Sequence, residues 1–247
     1  MAGISYILLG WGDSERPDLC AHFLRSGIDL KAQPVAVVTA PEHLETVQMA
    51  LSEEQLAVPL HTFTVDTLPA VELPPETHVF WIPDGFNDPR DFLEAIRGWI
   101  EGRGDELGRI ITVVDCELQD SNPSSHGFYE LCLHFSDVVL LGNRQNVSKK
   151  AIQAYRDHLR KSAIPSRVEF LRAGGKTAAP HELLFPEARR LSLYFDAEES
   201  YATSGYEMEG LSLKADEAEP DPRDPQSDPF LARTPEGRRR KVLHLPT

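Results

Sequence analysis

The stretch Tyr6-Ile7-Leu8-Leu9-Gly10-Trp11-Gly12-Asp13-Ser14-Glu15-Arg16-Pro17 decides how this chain is read. A short apolar run ends at glycine, a glycine-bearing turn follows, and Pro17 is a favoured first-turn residue for the helix it opens. A strand, a tight turn and a helix are the setting of a phosphate loop. A working loop ends in glycine, lysine and serine or threonine, which supply an open backbone, a cation for the outer phosphates and a hydroxyl for magnesium. Here those positions hold Glu15, Arg16 and Pro17.

Each exchange removes a function. Asp13 and Glu15 put carboxylates where polyphosphate would sit, and a like-charge contact at ~4 Å costs on the order of 4 kcal/mol at an effective dielectric of ~20. Arg16 keeps a cation but not lysine's compact point charge. Pro17 takes away both a hydroxyl and an amide donor. The plainer reading of Asp13 to Pro17 is a helix cap and first turn.

Outward from this stretch, short apolar runs alternate with amphipathic ones, the rhythm of a parallel sheet covered by helices. Strands are predicted at Tyr6–Leu9, Val35–Thr39, His61–Val65, Val79–Ile82, Ile110–Val114, Val138–Leu141 and Val168–Leu171, and helices at Asp18–Arg25, Pro41–Leu51, Pro89–Ile100, Gly127–His134 and Lys149–Lys161. Phe92, Leu93, Ile96, Trp99 and Ile100 recur at helical spacing and make one core-facing stripe. The expected fold class is α/β: a doubly wound, mostly parallel sheet of about seven strands, with any ligand at the strands' carboxyl ends.

Four segments in order carry a resemblance: the quoted stretch running into Leu19 to Leu24; Gly85-Phe86-Asn87-Asp88-Pro89; Ile111-Thr112-Val113-Val114-Asp115; and Asp137 to Leu141 leading into Gly142-Asn143-Arg144-Gln145-Asn146. Together they resemble the nucleotide-binding domain of the CobW family of P-loop GTPases, relatives of the urease and hydrogenase metallochaperones, over residues 5–160. The resemblance implies a phosphate loop at Gly10, Gly12 and Arg16, a switch segment at Gly85 and Asp88, and a guanine-reading loop at Asn143. The family's magnesium-holding acid aligns with Ile82, and Asp84 two positions on is its possible replacement; an aspartate before glycine also makes a turn. In the base-reading loop, alignment without a gap loses both discriminating residues. A shift of one keeps Asn143 and puts the amide of Asn146 in place of a carboxylate.

The family's metal-transfer cysteine motif has no counterpart between Ala40 and His61, and Cys20, Cys116 and Cys132 form no paired spacing, so they read as buried and reduced. Gly174-Gly175-Lys176-Thr177 lacks the earlier glycine of a phosphate loop and reads as a turn. Asn146-Val147-Ser148 is a formal glycosylation acceptor, set aside because no secretion signal is seen; the alternative to base reading is a strand-to-helix loop with Ser148 as cap, and Ser125-His126 lacks the elbow of a nucleophile.

The net charge of −14 argues against a nucleic-acid partner. No apolar run approaches the ~20 residues of a membrane span, and a cytoplasmic location is expected. Residues 1–195 read as the GTPase-like domain, 196–229 as an acidic disordered linker and 230–247 as a basic, apolar tail. In that tail Phe230 and Leu231 would anchor a protein partner beside the Arg238–Lys241 run, or the tail folds back on its linker. The function expected is that of a catalytically inactive CobW-like pseudo-GTPase acting as an interaction or regulatory protein, with no cofactor. The alternative is a divergent nucleotide-binding protein or slow GTPase using GTP and magnesium.

Overall fold

The computed structural model describes residues 2–12, 14–184, 189–196, 221, 223–243 and 245. Seven strands form one sheet: β1 (Ile4–Gly10), β2 (Val35–Thr39), β3 (Leu60–Thr62), β4 (His78–Ile82), β5 (Glu106–Asp115), β6 (Val138–Gly142) and β7 (Arg167–Phe170). Their order is β3-β2-β4-β1-β5-β6-β7, with every pairing parallel. The helices are α1 (Arg16–Ser26), α2 (Leu44–Glu53), α3 (Pro89–Arg103), α4 (Cys116–Ser121), α5 (Ser125–Phe135), α6 (Lys149–Lys161) and α7 (Pro180–Leu184). This is the doubly wound α/β sheet expected from the alternation of apolar runs.

The central strands are apolar without a break because helices cover both faces. Every residue of β2, β4 and β6 is buried. On one face, Tyr6, Leu8, Phe80, Ile111 and Leu140 pack with Leu19, Phe23 and Leu24 of α1 in a single cluster. Elsewhere Trp81 meets Trp99 of α3 edge to face at 4.8 Å, and Phe63 and Phe92 close round the same ring. The stripe read from Pro89–Ile100 is indeed buried, with α3 capped by Asp88 and stopped by Gly104, whose φ of +66° suits a residue without Cβ.

The register sets up the site. β1 lies between β4 and β5, with Ile7 opposite Trp81 and Gly10 opposite Val113. The loops that leave the carboxyl ends of β1 and β4 therefore meet, at the point where the strand order reverses.

The chain forms one compact unit of residues 1–191 and 243–247 and a second of 192–242. In the second, Asp228 accepts from the amides of Phe230 and Leu231 and from the Ser192 hydroxyl, and Arg233 and Arg239 form an antiparallel bridge around Gly237. This corrects the exposed-anchor reading: Phe230 and Leu231 are only 5% and 0% exposed, and the Lys241 ammonium lies 3.8 Å from the Phe230 ring centre. The pair sits in a turn held by Asp228. Residues 197–220, most of the expected linker, lie outside the described residues.

Candidate functional site: a loop clamped by its own arginine

Arg16 opens α1 and is completely buried. Its Nη1 donates to the Pro83 carbonyl at 2.6 Å and to that of Leu8 at 3.5 Å. Its Nη2 donates to the carbonyls of Gly12 at 2.6 Å and Asp84 at 3.2 Å, and its Nε to the Ser14 hydroxyl at 2.8 Å. The His43 Nε2 stands 2.9 Å from Nη2 and 2.6 Å from the Asp84 carbonyl, accepting from the first in one tautomer and donating to the second in the other. The guanidinium is thus a clamp between the β1 and β4 loops.

The backbone is closed too. The Gly12 amide, which an open loop would aim at phosphate, donates to the Gly85 carbonyl at 3.1 Å. A Cβ on Gly85 would stand 2.4 Å from the Gly10 carbonyl and 2.6 Å from the Arg16 Nη2, and its φ is +78°. Gly10 is as confined, with the Val113 carbonyl 2.9 Å from where its Cβ would be. The resemblance assigns Gly10 and Gly12 to a phosphate loop and Gly85 to a switch segment; in the structure Gly10 and Gly85 let two loops touch. Outside, Trp11 packs edge-on against Phe86 and Phe128, and Phe86 stacks on His43.

The acidic positions turn elsewhere. Asp84 accepts from the amides of Phe86 and Asn87 at 2.6 and 2.9 Å and from the Asn87 side chain, so its carboxylate closes a turn. Asp88 caps α3 and pairs with the buried Arg90. Glu15, expected to intrude on polyphosphate, points instead toward the end of β6, where the Asn143 amide donates to it at 3.4 Å. Burial raises its pKa above the usual carboxylate value, with the Asn143 amide opposing. Asp13 lies outside the described residues.

Asn143 is the first residue after β6, at φ +40°, and its side-chain amide donates to both oxygens of Asp115 at 3.1 and 3.0 Å. The group that would read a base is thus held by the carboxylate ending β5. Ser148 caps α6 through the Ala151 amide. Gly174 and Gly175 make a positive-φ turn that abuts the start of α1. The three cysteines are buried and unpaired by disulfide, and among the described residues no group of three metal-ligating side chains is gathered.

A cleft of about 820 Å³ opens beside the closed loop, at the ends of β1, β2 and β4. Glu42, Asp66, Asp84, Asp88, Asp91 and Glu94 line it, and among the described residues no lysine or arginine does. The Arg16 guanidinium is thus spent on carbonyls, the Gly12 amide is taken, and the adjoining cleft is lined with carboxylates that would repel a polyphosphate.

Fold and loop together define a doubly wound α/β protein with a closed loop at the carboxyl end of β1. No protein-family model matches the sequence, and no curated protein does. Among solved structures, the Zn(II)-bound YjiA GTPase from E. coli is similar at 14% identity and a TM-score of 0.48, over 75% of this chain and 61% of that one. FlhF in complex with GTP and Mg(2+) is similar at 14% identity and a TM-score of 0.46, over 73% and 72%. The chain thus spans less than two thirds of YjiA. Among the described residues no helix is long and apolar enough to cross a membrane.

Proposed function

We propose that this chain is a pseudo-GTPase of CobW-like ancestry, which keeps the sheet of a nucleotide-binding domain and acts through contacts with another protein rather than by hydrolysis. The observation that carries the reading is the fully buried Arg16 guanidinium, whose donors are spent on the Leu8, Gly12, Pro83 and Asp84 carbonyls. To admit a nucleotide the loop would have to break these bonds, separate Gly12 from Gly85 and expose a desolvated cation. Each buried carbonyl left without a partner costs about 1–3 kcal/mol, so opening works against affinity from the start. Pro17, at the position of the magnesium-binding hydroxyl, supplies no ligand on opening.

Calorimetric titration of the full chain with GTP, GDP and ATP, each with magnesium, tests this. No saturable heat is the expected result. Magnesium-dependent binding that disappears in Arg16→Ala would establish the divergent nucleotide-binding reading instead, with Arg16 as phosphate ligand.

A further inference from the structure

One edge of the sheet carries a feature that the closed loop does not use. Strand β7 is the edge: among the described residues nothing pairs outside it. The Arg167 and Leu171 amides donate inward to the Asp137 and Leu141 carbonyls, both at 3.0 Å. By the two-residue repeat of a strand, Val168 and Phe170 turn their N–H and C=O groups outward. Beside this edge, between α6 and the turn at Gly174–Gly175, lies a cleft of about 480 Å³ whose lining includes Arg144, Arg156, Phe170 and Arg172. Phe170 is 40% exposed, with the Arg144 guanidinium carbon 4.3 Å and that of Arg156 5.2 Å from its ring centre. Arg144 also holds the Leu171 carbonyl at 3.1 Å. The single carboxylate of the cleft, Glu169, is paired with Arg167, and no described carboxylate makes an ion pair with Arg144, Arg156 or Arg172.

Three guanidiniums converging without counter-charge are out of keeping with a chain of net charge −14. Two of them lie against one aromatic ring, near enough to repel each other, and an anion bound beside them would relieve that repulsion. Open backbone groups along the edge select for extended chain, and planar guanidiniums for carboxylates. We infer that the β7 edge with Arg144, Arg156, Phe170 and Arg172 is a docking site for an extended acidic peptide of a partner protein, which adds as an outer strand and sets alternate carboxylates over the arginines. The inference does not depend on the closed phosphate loop: nucleotide titration can fail or succeed without bearing on it.

The probe is a fluorescently labelled peptide alternating valine and glutamate, followed by anisotropy with the full chain. Saturable binding is expected, weakened about tenfold or more by Arg156→Glu, by Arg172→Glu and by Phe170→Ala, each shown folded by circular dichroism. Lys31→Glu, an exposed charge reversal elsewhere, should leave binding unchanged, and raising salt from about 0.05 to about 0.3 M should weaken it. The assignment is overturned if a valine–glutamine peptide binds equally well, if the arginine reversals change nothing, or if oligothymidine or inorganic phosphate is captured in preference to the peptide.

Discussion

At the residue scale, Arg16 carries the strongest claim, and stability measurements separate a clamp from a ligand. A phosphate ligand in an empty loop would be exposed, so its loss would barely affect folding. A clamp holds carbonyls that are buried with it. Arg16→Ala should therefore cost at least about 3 kcal/mol, because several acceptors lose their donor at once. Urea denaturation measures it; a change within about 0.5 kcal/mol of wild type would return Arg16 to the ligand role. Sequence could identify Arg16 as the odd residue of a phosphate loop, but not where its side chain goes. That depends on Pro83, Asp84 and His43, which only the sheet register brings near. The same holds for Glu15 and Asn143, whose partners lie across the strand ends.

At the element scale, caps that look alike in the sequence differ in what they support. Asp88 and Ser148 each precede a helix and each accepts from the amide of its first turn. Ser148→Ala should cost about 1 kcal/mol, the ordinary worth of a cap. Asp88→Ala should cost about 3 kcal/mol or more, because it also deprives Arg90, only 3% exposed, of its carboxylate. Thermal unfolding of both variants gives the comparison, and equal losses would mean that the Asp88–Arg90 pair adds nothing beyond the cap. Elements themselves were legible wherever period and length spoke together: all seven strands and the helices at α1, α2, α3, α5 and α6 fall where the apolar runs predict. The short α4 and α7, six and five residues, went unread because a helix of so few residues completes too few turns to show a period. Strand β5 begins at Glu106, earlier than its apolar run, because Ile4 and Ser5 of β1 supply partners for Glu106 and Leu107.

For the whole molecule, the relevant balance is acid against burial. A chain of net charge −14 repels itself in any compact state, and here it also half-buries the carboxylates of Glu15 and Asp18 near the start of α1. Burial raises the pKa of Glu15 above 4.5, and it raises that of Asp18 above 3.8 with help from Glu53. A carboxyl group whose folded pKa exceeds its unfolded one binds more protons in the folded state. Its contribution is therefore present below the unfolded pKa and is lost as pH rises through the folded value. Wild type should accordingly lose stability between about pH 4 and neutrality relative to Glu15→Gln, whose side-chain oxygen still accepts from Asn143 but carries no charge. Chemical denaturation of the two proteins side by side across that range is the measurement. The variant's advantage should be absent at the acid end and greatest near pH 7. A constant difference would place the Glu15 carboxylate in a solvated setting, free of the crowding between α1 and the β6 loop that otherwise closes this side of the loop as Arg16 closes the other.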